Sequence, residues 1–145
     1  MAEPVVFISR NKVREGRIAD FRKHYAAGIQ PILDGKPGTL VQLAYENDQG
    51  TEVTIVRVFP SAEALDQQIQ GADERSKKTY EFIEPIGIEI FGTPSPVTLE
   101  RMKKIAGAGI SLLIHPHYTG GFIRRGSPPA AGQADSSGEN NGDTI

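Results

Sequence analysis

The chain has 145 residues, of which 38% are hydrophobic and 23% charged, and its formal net charge is −2. This composition is typical of one globular domain with a sizeable core, and it lacks the clustered basic excess of a dedicated nucleic-acid binder. No window reaches the roughly 18 apolar residues that a membrane span needs, so we expect no membrane partner. The chain has no cysteine, which excludes disulfides and thiolate chemistry. Because its start also lacks a signal-peptide pattern, we expect a cytoplasmic protein.

The first half of the chain alternates between strand and helix patterns. Residues 4–13, "PVVFISRNKV", form a β-rich run, and a helical pattern follows over residues 17–35. Strands are predicted over 39–48 and 51–59, joined by a turn at Gln49 and Gly50. The apolar face of the predicted helix contains, at spacings of three and four residues, Ile18, Phe21, Tyr25, Ile29 and Ile32.

The second half continues the alternation. A helix is predicted to begin after Ser61 as its N-cap, to be interrupted at 71–73 and to resume as far as Glu84. A strand over 86–94, a third helix over 96–109 and a fifth strand over 110–115 complete the ordered part.

The order of the first six elements, β-α-β-β-α-β, predicts an α+β fold of the ferredoxin-like, split βαβ type, with an antiparallel sheet and an extra C-terminal helix and strand. Helices cover one face of such a sheet. The strand over 51–59 has apolar residues on both faces, so the other face also needs cover, and we expect a homodimer. We assign residues 1–125 to this domain. Residues 126–145 carry a charge of −3 with almost no large apolar side chains, which predicts a disordered acidic tail.

Two segments resemble the antibiotic biosynthesis monooxygenase (ABM) family, within the dimeric α+β barrel superfamily. "VVFISRNKVREGRIADF" is similar to the family's first strand, glycine-containing basic turn and helix. "IVRVFPSAEALDQQI" is similar to its third strand, aromatic-x-Ser turn and second helix. The resemblance covers residues 4–92, and one interpretation of the added strand is that it crosses onto the partner subunit.

The resemblance implies a cavity between sheet and helices that takes a small apolar or aromatic molecule. Family enzymes oxidise quinols or polycyclic phenols with O2, often with no metal or flavin, so we expect no cofactor; other members degrade haem or have no established reaction. Many quinol-oxidising members have histidines in the second helix, where this chain has Gln68 and Asp73. The chain also has no tryptophan, which argues against the haem-degrading branch. The family's catalytic residues therefore do not carry over.

The candidate site residues come from the chain itself. His24 lies at the edge of the apolar helix face and is the candidate base, or else a half-buried surface histidine. Tyr25, Tyr45 and Tyr80 are candidate ligand-binding donors. Arg57, in the middle of a strand, either orients a ligand oxygen or belongs to an ion pair, for which Arg10–Glu89 and Arg57–Glu89 are the options.

The segment "HPHYTGG" leaves one alternative open. His115 and His117 are two residues apart, so both could point to one face of a strand and bind a metal. No third ligand lies nearby in sequence, so we predict a strand end without a metal, with Tyr118 and Phe122 packing back on the domain. Three hypotheses remain: a cofactor-independent monooxygenase-like domain, a non-enzymatic dimeric ligand-binding or interaction domain, and a histidine-metal enzyme.

Overall fold

The computed structural model describes residues 3–69, 72–106 and 109–124. The predicted acidic tail, residues 126–145, lies outside these ranges. Within them, no helix combines the length and the apolar character needed to cross a membrane. In chain order the elements are β1 Val5–Val13, α1 Ile18–Gly35, β2 Val41–Glu46, β3 Glu52–Phe59, α2 Ala62–Ile69, α3 Ala72–Thr79, β4 Ile83–Phe91, α4 Pro96–Ala106 and β5 Ser111–His115.

The strands form one sheet in the order β2-β3-β1-β4-β5. β1 is central and antiparallel to both β3 and β4, and β2 is antiparallel to β3. This is the split βαβ order, so the predicted α+β, ferredoxin-like fold is confirmed. The extra helix and strand extend it, because β5 pairs in parallel with β4 of the same chain.

The β2–β3 hairpin turns at Gly50, whose φ of 68° lies in the left-handed region that favours glycine. The side-chain Oδ1 of Asn47 accepts hydrogen bonds from the backbone N–H groups of Thr51 and Glu52, at 2.9 and 3.1 Å. The predicted turn at Gln49–Gly50 is therefore confirmed.

Helix α1 follows its predicted periodicity, with one exception. Phe21 is buried, and Tyr25 and Ile32 are partly buried. Ile29 is 47% exposed, so its predicted place on the buried face is wrong. Pro31 lies inside the helix without ending it, and the helix closes where Lys36 N–H donates to Ile32 O at 2.8 Å.

The boundary between α3 and β4 differs from the prediction. Helix α3 ends at Thr79, whose carbonyl accepts a hydrogen bond from Phe82 N–H at 2.9 Å, and β4 begins at Ile83. Pro85 lies within β4 opposite Asn11, where the register with β1 shifts. Proline is tolerated in strands at such irregularities, so it did not mark the helix end that the sequence predicted.

Two apolar clusters occupy the helix-covered side of the sheet, and β1 connects them. Val5 belongs to a cluster with Phe59, Leu65 and Ile90. Val13, at the other end of β1, belongs to a second cluster that also contains Phe21, Val53, Ile55, Phe82 and Ile83. Between these two ends, the inward-facing residues of β1 are Phe7, Ser9 and Asn11, and they line an internal cavity.

The other side of the sheet is also apolar, and none of the described helices covers it. Cross-strand pairing places one set of side chains on this outer face because directly opposed residues share a side. Arg10 and Glu89 form an ion pair there. The apolar members of the outer face are Val6, Ile8, Val41, Leu43, Tyr45, Val56, Val58, Phe91 and Leu113.

The register decides between the two predicted ion pairs. Ile8 is opposite both Val56 and Glu89, whereas Arg57 is opposite Phe7. Arg57 and Glu89 therefore point to opposite sides of the sheet, and the observed pair is Arg10–Glu89.

The sequence predicted that the segment after β5 packs back on the domain, and this prediction is wrong. Phe122 is 80% exposed, and the exposed Tyr118 donates its hydroxyl to Gly121 O at 3.1 Å. Locally, Thr93 Oγ1 holds the segment by donating to Pro116 O at 2.9 Å.

Candidate functional site

A cavity of about 790 Å³ lies between the sheet and the helices. Its volume is within the range of small-molecule sites, about 300–1,000 Å³. Apolar side chains form much of the lining, and a limited set of polar groups interrupts them. Residues of α1, α2 and α4 lie on one side and residues of β1 to β4 on the other.

His24 reaches this cavity from α1. Its Nε2 lies 2.9 Å from Thr79 Oγ1 at the end of α3, and its ring packs 5.4 Å from that of Phe82. Burial lowers the pKa of His24 below its ordinary value of 6.5, and the charge of Lys78 lowers it further, while Glu81 opposes the shift. The imidazole is therefore neutral near pH 7, which is the form in which it can accept a proton.

A polar group of three side chains lies on the same cavity. Arg57 of β3 is directly opposite Gln42 of β2, and its Nε donates to Gln42 Oε1 at 3.0 Å. Tyr25 of α1 completes the group, because Gln42 and the charge of Arg57 both act on its phenol. Burial dominates, however, and raises the pKa of Tyr25 above 10.0.

The Tyr25 hydroxyl is unusual because it is buried yet makes no hydrogen bond of normal geometry within the described part of the chain. Gln42 interacts with this phenol through its side chain and so lowers the pKa of Tyr25, although the contact does not have the geometry of a normal hydrogen bond. A buried hydroxyl without a partner costs free energy, and in native proteins such groups often await a ligand or water. This hydroxyl therefore has capacity for a further hydrogen bond.

Two buried amides also line the cavity and already have partners. Asn11 Nδ2 donates weakly to Ser9 O and Val53 O, both at 3.3 Å. Gln68 Oε1 accepts a hydrogen bond from Thr39 Oγ1 at 2.6 Å. Gln68 occupies one of the positions where the resemblance places a histidine; the side chain of Asp73, the other, lies outside the described residues.

The structure brings four of the five predicted site residues to one cavity. His24, Tyr25, Arg57 and Tyr80 all line it. Tyr45 does not: it lies opposite Thr54 on the outer face of the sheet and is 62% exposed. Its predicted place in the cavity is wrong because the alternation of β2 turns Gln42 inward and Tyr45 outward.

The two C-terminal histidines lie apart from the cavity. His115 stacks on Phe91 with ring centroids 5.3 Å apart, and both His115 and His117 are exposed. Among the described residues, no group of three histidine or acidic side chains is arranged to hold a metal ion.

Sequence reasoning missed Gln42, Thr79 and Asn11. The signal for Gln42 is the reversed pattern of β2, in which the odd-numbered positions Val41 and Leu43 are apolar and face outward. The signal for Asn11 is a polar residue at an inward position of the central strand. Thr79 gave no signal, because its role depends on where α3 ends.

Comparison with models of known protein families and with curated protein sequences finds no match. Solved structures do match. MupZ from Pseudomonas fluorescens is similar over 83% of this chain and 95% of its own, with a TM-score of 0.67 and 14% identity. SnoaB, a cofactor-independent oxygenase from Streptomyces nogalater, is similar over 65% of this chain and 96% of its own, with a TM-score of 0.54 and 18% identity.

A protein from Caulobacter crescentus described as an antibiotic biosynthesis monooxygenase matches over 61% of this chain and 88% of its own, with a TM-score of 0.54 and 16% identity. The chain has the ABM fold. This result confirms the fold that the resemblance in the sequence predicted. At these identities the likeness shows the fold alone.

Proposed function

We propose that this chain is a cofactor-independent monooxygenase-like protein that binds a polycyclic phenol or quinol in its cavity and oxidises it with O2. The observation that carries the proposal is the buried Tyr25 hydroxyl, which makes no hydrogen bond of normal geometry with the described residues and lies beside the Arg57–Gln42 pair in a largely apolar cavity. A phenolic oxygen would give this hydroxyl its missing partner, and the aromatic body would occupy the apolar remainder.

In this mechanism the side chains bind the substrate and move one proton. Tyr25 and Arg57 hold the substrate oxygen, and the charge of Arg57 favours its ionised form. Neutral His24 accepts the proton that leaves the substrate. If Nε2–H donates to Thr79, then Nδ1 carries the lone pair that takes this proton.

The electrons come from the substrate. The deprotonated ring transfers an electron to O2, and recombination at the ring carbon gives a peroxide. Loss of water from the peroxide leaves a carbonyl, so that one ring methylene and one O2 become one ring carbonyl and one water. Excluding bulk water protects the reactive carbanion, which is what an apolar cavity supplies. SnoaB, which shares the ABM fold, is described as a cofactor-independent oxygenase, and this likeness supports the proposal.

One observation favours a second candidate, a non-enzymatic ligand-binding protein. Gln68 lines the cavity at a position where the resemblance places a histidine, and its amide oxygen is bonded to Thr39. An amide cannot act as a general base near neutral pH, so this position could bind a ligand but not deprotonate it.

The test is oxidation of anthrone, a tricyclic phenol tautomer, followed by O2 uptake and by the appearance of anthraquinone. We expect one O2 consumed for each anthraquinone formed. His24→Gln should lose about 10²–10⁴-fold in kcat, because it removes the base while keeping a polar side chain. His117→Gln, a histidine outside the cavity, is the matched control and should keep full activity. Binding without turnover in the unaltered protein would favour the second candidate instead.

We also propose that the outer face of the sheet binds a second copy of the chain. Its apolar side chains come from β1 to β5, and none of the described helices packs on it. Large exposed apolar surfaces usually mark interfaces, and a two-fold pairing of this face with itself would bury the same residues in both subunits.

A further inference from the structure

The segment that follows β5 exposes large apolar side chains. Within residues 116–124, here called the arm, Phe122 is 80% exposed, Tyr118 is 41% exposed and Ile123 is 37% exposed. Removing such side chains from water is favourable, and exposed apolar groups that lie close together usually mark a binding surface. The arm therefore has the composition of a segment that packs on another surface.

The arm begins at the border of the outer face of the sheet. His115, the last residue of β5, is opposite Phe91 and stacks on its ring on that face. Directly after it, Thr93 Oγ1 donates to Pro116 O at 2.9 Å and fixes the direction in which the chain leaves the sheet. From there the arm runs clear of its own domain, since residues 117–124 are all exposed.

The outer face itself is most exposed at its two edge strands. Leu43 and Tyr45 of β2 are 47% and 62% exposed, and Leu113 of β5 is 48% exposed. The apolar outer-face residues of the inner strands β1, β3 and β4 are partly buried. A second copy that covers this face therefore removes the most apolar surface from water where it reaches β2 and β5.

The strand order relates these two edges by symmetry. β2 and β5 are the first and last strands of the sheet. When two outer faces pack together about a two-fold axis parallel to the strands, β5 of one copy lies over β2 of the other. Each arm then begins above the exposed β2 residues of the partner copy, and both arms make the same contacts.

The dimensions and the chemistry of the two surfaces agree. Residues 116–124 can span up to about 30 Å when extended, whereas facing sheets are about 10 Å apart. The outer side of β2 consists of Val41, Leu43 and Tyr45, so it places no charge against the arm. Aromatic rings pack well on such a surface, and the arm supplies Tyr118 and Phe122.

We propose that in a homodimer the arm of each copy packs on the outer side of β2 of the other copy, with Tyr118 and Phe122 against Leu43 and Tyr45. This inference rests on the proposed pairing of the outer faces. It goes further because it names the segment that crosses between the copies and the strand that receives it. It also accounts for an arm that does not pack on its own domain.

The first test uses the lack of cysteine in the chain. A full-length Tyr45→Cys chain and a full-length Phe122→Cys chain, one of them enlarged by a tag, are co-expressed and oxidised. We expect a disulfide-linked heterodimer, because the arm brings the two positions close to the Cα separation that a disulfide needs, about 4.4–6.8 Å. Val97→Cys paired with Phe122→Cys is the matched control and should not link, since Val97 is 77% exposed but lies on α4.

The second test measures the strength of the dimer. Phe122→Ser in the full chain should raise the dissociation constant of the dimer at least about tenfold, because each dimer loses two buried rings. Val97→Ser should leave the constant unchanged. Sedimentation equilibrium measures both variants, and thermal melting confirms that each is folded.

A heterodimer yield no higher than that of the Val97→Cys control would overturn the inference, and so would a Phe122→Ser dimer as stable as the wild type. Phe122→Cys chains that link to each other would place both arms at the same edge and would also overturn it. A wild-type dimer that Phe122→Ser leaves intact refutes the arm alone, whereas a wild-type monomer refutes the pairing as well. Anthrone oxidation tests the proposed reaction separately.

Discussion

His24 Nε2 and Thr79 Oγ1 lie 2.9 Å apart, so one hydrogen bond joins α1 to the end of α3 at the edge of the cavity. The bond fixes the direction of the imidazole ring. It also selects a tautomer, because the atom facing Thr79 either donates or accepts.

Thr79→Val keeps the shape of the side chain and removes this hydrogen bond. In anthrone oxidation we expect kcat to fall by about five- to tenfold, which corresponds to about 1 kcal/mol, with little change in KM. Thr79→Ser, which keeps the hydroxyl, should retain most of the activity. Equal losses in both variants would indicate that Thr79 contributes through packing and does not orient His24.

The pKa of His24 predicts a dependence of stability on pH. Because burial lowers this pKa in the folded chain, the unfolded chain binds more protons as the pH falls below 6.5. The contribution of neutral His24 to stability is therefore complete above pH 6.5 and is lost as the pH falls through the folded-state pKa. Urea unfolding of wild type and His24→Gln, at about pH 7.5 and about pH 5, should show that wild type loses more stability than the variant.

The lowered pKa of His24 also predicts how the activity depends on pH. Anthrone oxidation should be constant near neutral pH and should decline on the acid side at a pH below 6.5, where His24 becomes protonated. A decline centred above 6.5 would contradict the assignment of His24 as the base.

Tyr25→Phe removes the buried hydroxyl that makes no hydrogen bond of normal geometry with any of the described residues. Because this hydroxyl makes no hydrogen bond of normal geometry in the described part of the chain, we expect the free energy of unfolding to stay the same or to rise by about 1 kcal/mol, whereas ligand affinity should fall. Urea unfolding measures the change in stability, and titration with anthrone in the absence of O2 measures the change in affinity. Tyr45→Phe, on the outer face, is the control for ligand binding and should not change it. A marked loss of stability in Tyr25→Phe would show that the hydroxyl has a structural partner.

The outer face predicts the oligomeric state. We expect a dimer at micromolar concentration, and Leu43→Lys should convert it to a monomer, because it places a charge on the apolar surface that two copies bury. Leu43 is 47% exposed in the single chain, so the variant should still fold. Leu33→Lys, on α1 and 66% exposed, is the matched control and should remain dimeric. Sedimentation equilibrium measures the oligomeric state of each protein. If the wild type is a monomer at micromolar concentration, the proposed pairing of the outer faces is refuted.

The fold could be predicted from the sequence because its signals are local and agree with one another. Helix α1 has an apolar face of regular spacing, and α2 begins at an N-cap whose hydroxyl, Ser61 Oγ, accepts from Ala64 N–H at 3.2 Å. The end of α3 was misplaced because Pro85 looked like a helix terminator. Whether a proline ends a helix or lies at a strand irregularity depends on pairing with β1, and that information is not local.

The candidate site was predicted in part for the same reason. His24 and Tyr25 are neighbours on one helix, so periodicity brings both to the buried side. Tyr45 was misplaced because β2 has apolar residues on the outer side of the sheet and the polar Gln42 on the cavity side. The assumption that apolar residues face the cavity fails when both faces of a sheet carry apolar side chains.

Helix α4 lies beyond the six elements of the split βαβ order, yet it contributes Arg101, Met102, Lys104 and Ile105 to the cavity. Two separate parts of the chain therefore form the cavity. The sheet and α1 supply the reactive groups, and α4 lines one side. Insertions, deletions or substitutions in that segment can alter which molecules are admitted while the strand pairing and His24 stay untouched. Selectivity and chemistry can thus diverge independently, from two separate stretches of one short polypeptide.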